Sequence, residues 1–225
     1  HRQAKIMVRD FLRRRGLTAE IEWIVDCLPG DRRADVMVWS ARGNMFAIEI
    51  QQSSISIDDI EARTKSYFRA GIRVLWLVLV DNKRLEDAEA LADGKRRRIE
   101  RYPASHWERW IHGFNYGHIW LLNVDGWHLL KGNLEEHELY VESSSWFADG
   151  EEHSAGGYFR SSKRFRELTI EEPLKLDNAL IDTFHRKQHL IWKYFYPEGK
   201  AATFVPRSPL QGDVAPGRDC STSTS

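Results

Sequence analysis

Residues Arg33 to Tyr67 read RADVMVWSARGNMFAIEIQQSSISIDDIEARTKSY, and this stretch decides the fold of the first half of the chain. Two runs rich in apolar and β-branched residues flank a short Arg42-Gly43-Asn44 segment, which predicts a β-hairpin. Each run carries one acid among apolar residues, Asp35 in the first and Glu49 in the second. An ionised carboxylate in an apolar strand is costly unless something compensates its charge. The two acids are therefore the first candidates for function.

The alternation of side chains along a strand assigns the hairpin residues to two faces. The core-facing set is Val36, Val38, Phe46, Ile48 and Ile50, and the opposite set is Asp35, Met37, Ala47, Glu49 and Gln51. A three-residue loop from Arg42 to Asn44 would pair Ala41 with Met45, Met37 with Glu49, and Asp35 with Gln51. Asp35 and Glu49 would then be diagonal neighbours, roughly 5–8 Å apart at Cβ. A two-residue turn at Gly43-Asn44 would instead place the two acids on opposite faces.

Two interpretations of the acid pair follow from the residues alone, and both stay open here. In the first, Asp35 and Glu49 hold one hard divalent cation, which prefers oxygen ligands at about 2.0–2.6 Å. In the second, Asp35 only caps the start of its strand and Glu49 is a lone acid on the sheet face.

The rest of the first half predicts an α/β fold with a mixed central sheet flanked by helices. The expected elements are a helix over 2–15, a strand over Ala19–Val25, the two hairpin strands, a helix from Ser56 to about Ala70, and an apolar central strand over Val74–Val80. A charged stretch over 85–101 predicts a further helix, because acids dominate its start and basic residues its end.

The second half differs in composition, because it is unusually rich in aromatic residues from Ser105 onward. An Asp125-Gly126 turn predicts a hairpin of 118–124 with 127–130. A last helix is expected over 178–194, carrying His185 and His189 one turn apart. We expect a domain over 1–103, an aromatic β-containing extension over 104–197, and a tail without regular structure over 198–225. The aromatic residues would either fill a small core or stack on unpaired bases.

Composition excludes several classes of protein. The chain of 225 residues has 33 basic and 33 acidic residues, so a nucleic-acid enzyme must concentrate its positive charge locally. Only Cys27 and Cys220 are present, too few for a disulfide framework, which favours a reducing cytoplasm. No segment has the pattern of a membrane span or a signal peptide, so we expect no membrane partner.

Several motifs in the same order resemble the competence protein CoiA-like nucleases, a family of the PD-(D/E)xK superfamily. They are His1 with Lys5, Arg33-Ala34-Asp35-Val36, Ala47-Ile48-Glu49-Ile50-Gln51, Ser53-Ser54-Ile55-Ser56, the segment from Glu61 to Tyr67, and the segment from Ile72 to Leu77. Glu49-Ile50-Gln51 is the family's E-x-Q, where the superfamily usually has a lysine in the last place. The resemblance covers roughly residues 1–80 and implies a restriction-endonuclease-like core that hydrolyses phosphodiester bonds with Mg²⁺ or Mn²⁺.

The resemblance also implies roles for particular residues. Asp35 and Glu49 would be metal ligands, with the backbone carbonyl of Ile50 as a third. Gln51 can orient a water but cannot offset charge, so a cation should stand in for the missing lysine. Arg63 is preferred over Lys65, because Lys65 points about 160° away from it around a helix of 3.6 residues per turn. Tyr67 lies one turn after Arg63, on the same helix face.

The implied partner is DNA, including single-stranded DNA. The residues expected to contact it are Lys5, Arg9, Arg13, Arg33 and Lys65. A second copy of the chain, or competence and recombination proteins, are further expected partners. Two alternatives to a nuclease stay open, namely a DNA-binding module without catalysis and a protein-interaction scaffold.

Overall fold

The computed structural model describes residues 1–26, 30–191 and 194–207. The first elements are α1 (Arg2–Arg14), β1 (Thr18–Val25), β2 (Arg32–Trp39), β3 (Met45–Gln51), α2 (Ile57–Arg69) and β4 (Arg73–Val80). They are followed by β5 (Glu89–Ala90), β6 (Arg97–Tyr102), α3 (His106–Phe114), β7 (Ile119–Asn123), β8 (His128–Val141), β9 (Ser144–Ala148) and β10 (Glu151–Ala155). The last are β11 (Tyr158–Ile170), β12 (Leu174–Lys175), β13 (Ala179–Arg186), β14 (His189–Ile191), β15 (Tyr194–Tyr196) and β16 (Gly199–Pro206). Short 3-10 helices lie at Lys83–Leu85 and Leu176–Asn178.

A mixed sheet organises the molecule, with twelve strands among the described residues. Its main order is β1-β2-β3-β4-β7-β8-β11-β6-β5, and β12, β13 and β16 join it at the side of this path. Strand β4 runs parallel to β3, β7 and β16, whereas β1, β2 and β3 pair antiparallel. The fold is therefore α/β with a mixed sheet, as the sequence predicted.

The two faces of the sheet bury separate cores. Along β4, Trp76 faces the core that includes α2 and α3, whereas Leu75 and Leu77 face the core that includes α1. Helices α1 and α2 thus lie on opposite faces of the same sheet. The prediction that the apolar strand over 74–80 is central and covered on both sides is confirmed, since every residue from Val74 to Val80 is buried.

The expected helix over 85–101 is wrong. This region forms a 3-10 turn and then the β5–β6 hairpin. Asp93 organises the turn, because its Oδ1 accepts from the backbone N–H groups of Lys95 and Arg96, and Gly94 adopts a φ of +65°. The Asp93-Gly94 pair is a hairpin signal. The order of acidic and then basic residues in this segment matches what a helix dipole favours, but the segment forms a hairpin.

Two predictions on the second half are also wrong. The expected helix over 178–194 is replaced by β13, β14 and β15, with His185 on β13 and His189 on β14. The expected tail from 198 contains β16, which pairs with β13 over its full length and also meets β4. Residues 208–225 lie outside the described residues, as does the rest of the tail prediction. Strand pairing decides these segments, through the β14–β15 hairpin, the β13–β16 pair and the contact of β16 with the distant β4, and the propensity of each segment alone does not show it.

The aromatic residues of the second half divide between the core and the surface, and stacking of the exposed ones on bases stays a prediction. Trp107, Trp110 and Phe114 of α3 are buried, while Trp146 and Phe147 on β9 are exposed. The hairpin around Asp125-Gly126 is confirmed, with Asn123 of β7 paired to His128 of β8. The domain division at residue 103 stays a prediction. Strands from both sides of it share the sheet, since β6 pairs with β11.

Candidate active site

The β2–β3 hairpin brings Asp35 and Glu49 face to face. Its paired residues run from Trp39 with Met45 to Val36 with Ile48, so Met37 lies opposite Ala47 and Asp35 opposite Glu49. The predicted register, with Asp35 opposite Gln51, is therefore wrong by two positions. The two acids are still neighbours, but Asp35 is contacted from α1 and Glu49 from α2, so their partners come from opposite faces of the sheet.

The loop explains the shift. Ser40 N donates to Asn44 O and Gly43 N donates to Ser40 O, each at 2.9 Å, so the three loop residues are Ala41 to Gly43. Gly43 adopts a φ of +74°, a conformation that glycine tolerates at no steric cost. The side chain of Ser40 also accepts from Asn44 N at 3.0 Å. The loop is therefore one residue earlier than the predicted Arg42 to Asn44.

Strands β2 and β3 separate just beyond Val36 and Ile48. Strand β2 continues along β1 as far as Arg32, while β3 continues along β4 as far as Gln51. The Oδ2 of Asp35 accepts from the backbone N–H of Ile50 at 2.8 Å. The side chain of Asp35 thus accepts a hydrogen bond from the Ile50 N–H, in place of a backbone carbonyl of β2. Both acids lie at the point where β2 and β3 separate.

Glu49 is held by α2. Its carboxylate is 1% exposed, Tyr67 Oη donates to Oε1 at 2.6 Å, and Arg63 NH1 donates to Oε2 at 2.8 Å. Ser56 begins this helix as its N-cap and accepts from Asp59 N. Burial first, and then the charge of Asp35, raise the pKa of Glu49 to about 7, against the opposing effects of Tyr67 and Arg63.

Asp35 is held by α1, from the other face of the sheet. Lys5 Nζ lies 2.5 Å from Oδ1 of Asp35 and also contacts Oε1 of Glu22. Burial alone would lower the pKa of Lys5, but its hydrogen bonds to the two acids outweigh burial and raise it. The imidazole of His1 bonds to the carbonyl oxygen of Ile50 at 2.6 Å and lies 3.7 Å from Asp35.

Glu22 extends the row of acids across a third strand. The register of β1 with β2 places it opposite Asp35, and its φ of 54° marks a local irregularity in β1. Its hydrogen bond with Lys5 holds the pKa of Glu22 below its usual range. Arg33 Nε also lies 2.7 Å from its Oε2. The alternation of β1 is the signal that could have found Glu22, because Ile21 and Trp23 leave Glu20 and Glu22 on the other side of a regular strand.

The structure brings some of the predicted site residues together and leaves others apart. A cleft of about 200 Å³ is lined by Lys5, Glu22, Asp31, Arg32, Arg33, Asp35, Arg63 and Tyr67. Gln51 donates from its amide to Ser53 O at 2.6 Å. Arg9 pairs with Asp10, Arg13 pairs with Glu20, and Lys65 is exposed on α2. The predicted site residues Gln51, Arg9, Arg13 and Lys65 do not line the cleft.

The oxygen atoms at this point are of a chemical type that binds a small hard cation. The carboxylates of Asp35 and Glu49 and the carbonyl of Ile50 are the type of ligand that Mg²⁺ and Mn²⁺ prefer. In the part of the chain that the structure describes, no group of three or more His, Cys, Asp or Glu side chains could hold a metal ion. A cation here would have two carboxylates, and water or phosphate would complete its coordination. That is the usual arrangement for Mg²⁺.

Residues 1–112 match the family model described as "Competence protein CoiA, nuclease-like domain", and this segment contains every residue of the cleft. The chain belongs to the competence protein CoiA nuclease-like family over these residues. The resemblance seen in the sequence is confirmed.

Similarity to solved structures is weak. A solved structure described as "Crystal Structure of Protein of Unknown Function AF1548" is similar at 17% identity and a TM-score of 0.30. That match covers 35% of this chain and 47% of the other. No curated protein matches the chain. Among the described residues, no helix is long and apolar enough to cross a membrane.

Proposed function

We propose that this protein is a metal-dependent nuclease that hydrolyses phosphodiester bonds of DNA, with a PD-(D/E)xK-type core and its active centre at Asp35 and Glu49. The observation that carries the proposal is the placement of these two acids, face to face where β2 and β3 separate. Glu49 is buried there at a free-energy cost that the hydrogen bonds from Tyr67 and Arg63 offset. Membership of the nuclease-like family supports the same reading.

Asp35, Glu49 and the carbonyl of Ile50 would hold Mg²⁺ or Mn²⁺. When bound, such an ion supplies Lewis-acid polarisation of the phosphodiester and a more acidic water. Arg63 and Tyr67 orient Glu49 through their two hydrogen bonds. They also favour its ionised form at neutral pH, because both donate to the charged carboxylate.

The charged rim of the cleft is suited to a phosphate backbone. Arg33 is exposed beside Glu22, and the side chain of Arg63 is 39% exposed at the edge of the site. Guanidinium groups bind phosphate through paired N–H donors. These arginines supply the local positive charge that a chain with balanced overall charge needs for DNA. The competence label of the family supports DNA as the substrate, including single-stranded DNA.

Cleavage of labelled DNA tests the proposal. Single- and double-stranded oligonucleotides are incubated with Mn²⁺, Mg²⁺ or EDTA and the wild-type protein, Asp35→Asn or Glu49→Gln. We expect metal-dependent cutting by the wild type and a loss of at least about 100-fold in both variants, as is usual for removal of a principal electrostatic group. The control is Glu138→Gln, an exposed acid on β8 that should leave cutting unchanged. Cutting in EDTA, or by Glu49→Gln, would refute the assignment.

A second candidate is a DNA-binding module without catalysis. It is favoured by Gln51, whose amide is bound to Ser53 O and which carries no charge in place of the superfamily lysine. This candidate predicts DNA binding that survives Asp35→Asn, and no cutting with either metal. The same experiment, read with a gel-shift assay at low salt, distinguishes the two.

A further inference from the structure

All four carboxylate oxygens of Asp35 and Glu49 accept from donors within the protein. Lys5 Nζ meets Oδ1 of Asp35 and Ile50 N meets Oδ2. Tyr67 Oη meets Oε1 of Glu49 and Arg63 NH1 meets Oε2. Two of these donors are cations, and they come from helices on opposite faces of the sheet. Each carboxylate therefore has its own counter-charge.

The two cations differ in how they are held. The side chain of Arg63 is 39% exposed, whereas Lys5 is 7% exposed. Lys5 also has a second acid partner, Glu22, which lies opposite Asp35 on β1. It can therefore release Asp35 and still keep an ion pair. A buried lysine without such a second partner would be left unpaired, at a high free-energy cost.

A divalent cation cannot take Oδ1 of Asp35 while Lys5 occupies it, and Oδ2 already accepts from Ile50 N. The cation's ligand distances of about 2.0–2.6 Å would place it where the ammonium group now lies, 2.5 Å from Oδ1. Two positive groups at such a separation repel strongly even when partly screened. Binding of the ion therefore requires Lys5 to move, and the repulsion lowers the affinity of the site for the ion alone.

We infer that Lys5 is an exchangeable counter-cation that occupies Asp35 in the resting protein and passes to the substrate phosphate when a divalent cation binds. This inference rests on the proposed function, because it takes Asp35 as a ligand of that cation. Lys5 would thereby contact the substrate directly. It would supply, from α1, the positive charge that Gln51 cannot supply from β3.

Movement of Lys5 from Asp35 to phosphate would couple binding of the ion to binding of the nucleic acid. A phosphodiester would give Lys5 a new partner and would complete a coordination sphere that holds only two carboxylates. The ion and the nucleic acid should therefore strengthen each other's binding by the same factor. Without Lys5, the ion should bind more tightly alone, and the coupling should shrink.

Calorimetric titration of Mn²⁺ tests this without relying on catalysis. It is done with and without a cleavage-resistant phosphorothioate oligonucleotide, on wild type, Lys5→Met and Lys163→Met. The control residue, Lys163, is exposed on β11, far along the sheet order from β1. We expect the oligonucleotide to tighten Mn²⁺ binding by wild type and by the control about tenfold or more, the lower range of typical coupling. Lys5→Met should bind Mn²⁺ alone at least about tenfold more tightly than wild type, because a repelling charge is gone.

Equal or weaker Mn²⁺ binding by Lys5→Met would overturn the inference, since a purely structural lysine predicts that result. Glu49→Gln should abolish Mn²⁺ binding in every arm. If wild type binds no Mn²⁺ even with the oligonucleotide, the proposed function fails and the inference fails with it. If Mn²⁺ binds but the lysine has no effect, only the inference fails.

A second measurement uses the unchanged protein, because Lys5→Met leaves Asp35 and Glu22 uncompensated and could fail to fold. Trace acetylation followed by mass spectrometry measures the reactivity of Lys5 relative to Lys163. We expect Lys5 to be protected without Mn²⁺, more reactive with Mn²⁺ alone, and protected again when the oligonucleotide is added. Reactivity that is the same in all three states would overturn the inference.

Discussion

Tyr67 donates a 2.6 Å hydrogen bond to Oε1 of Glu49, and this bond joins α2 to β3 inside the core. The same pairing recurs at a second place in the fold, where Tyr102 donates at 2.7 Å to Oε1 of Glu108. Both glutamates are almost fully buried, and both also receive an arginine. They differ in their surroundings, because only Glu49 has a second acid opposite it across the sheet. That difference separates the proposed active centre from a structural ion pair.

Replacement of Tyr67 by phenylalanine should destabilise the protein by about 1–3 kcal/mol, the cost of leaving one oxygen of a buried carboxylate without its donor. It should also raise the pKa of Glu49 further, since the Tyr67 hydroxyl lowers it in the native protein. Urea unfolding at pH 8 measures the change. The matched control is Tyr140→Phe, at an exposed tyrosine on β8. Equal stability of the two variants would show that the hydroxyl contributes nothing.

The raised pKa of Glu49 predicts a specific dependence of stability on pH. The ordinary value is 4.5 and the folded protein holds the group at about 7. Below about pH 4.5 the carboxyl is protonated in both states, and the contribution to stability is fully present. Between these values the unfolded chain ionises first, so the contribution falls as pH rises and is lost above about pH 7.

The wild type should therefore lose roughly 3 kcal/mol relative to Glu49→Gln over this range, because each unit of pKa shift is worth 1.36 kcal/mol. The measurement is the free energy of unfolding of both proteins at intervals between about pH 5 and pH 8. Taking the difference between the two proteins removes the titration of other groups. A difference that stays flat, or that grows with pH, would contradict the raised pKa.

Part of this site could be predicted from sequence because a register error of two positions still leaves the two acids as neighbours across the hairpin. Asp35 is diagonal to Glu49 in the predicted register and opposite it in the observed one. What alternation could not give was the exact pairing, which the hydrogen bonds of Ser40 and Asn44 set through the loop. Arg63 and Tyr67 were predictable together because four residues of helix return to the same face.

The place of Lys5 could not be derived in the same way. The sequence showed that His1 and Lys5 share one side of α1, but not that α1 lies across the sheet from α2. Which helix covers which face depends on long-range packing, and local periodicity carries no information about it. The strands β13 and β16 were missed for a related reason, since β16 joins the sheet through β4, which is distant in sequence, and β13 pairs with β16.

Arg84→Met tests whether the second buried glutamate is only structural. Glu108 is 0% exposed and accepts from Arg84 NH2 at 2.6 Å, from Tyr102, and from the backbone N–H of Ser105. Loss of the arginine leaves a buried carboxylate without its charge partner, at a cost of about 3–5 kcal/mol. Thermal and urea unfolding measure this loss, with the exposed neighbour Lys83→Met as control.

The same variant should leave Mn²⁺ binding unchanged at temperatures where it is folded, because Arg84 does not line the cleft at Asp35. Tighter or weaker Mn²⁺ binding by Arg84→Met would show that the two glutamates are coupled. A loss of stability no larger than that of the control would show that the ion pair contributes little.

Gly113→Ala should destabilise the protein although alanine is the better helix former. A Cβ at Gly113, near the end of α3, would lie 2.0 Å from the Tyr196 hydroxyl oxygen and 2.9 Å from its Cζ. Tyr196 is 2% exposed and has little room to move, because it packs on Trp110 and the Arg186 guanidinium lies 4.4 Å from its ring. Overpacking of this kind costs about 1–3 kcal/mol, which outweighs a helix-propensity gain of about 1 kcal/mol.

Urea unfolding of Gly113→Ala, Gly30→Ala and the double variant Gly113→Ala with Tyr196→Phe checks this prediction. Gly30 is the control, since a Cβ there meets nothing within 4 Å. The double variant should recover part of the lost stability, because removal of the hydroxyl relieves the shorter of the two contacts while the contact with Cζ persists. A Gly113→Ala protein that is more stable than wild type would show that the β15 segment can shift away from α3 without cost.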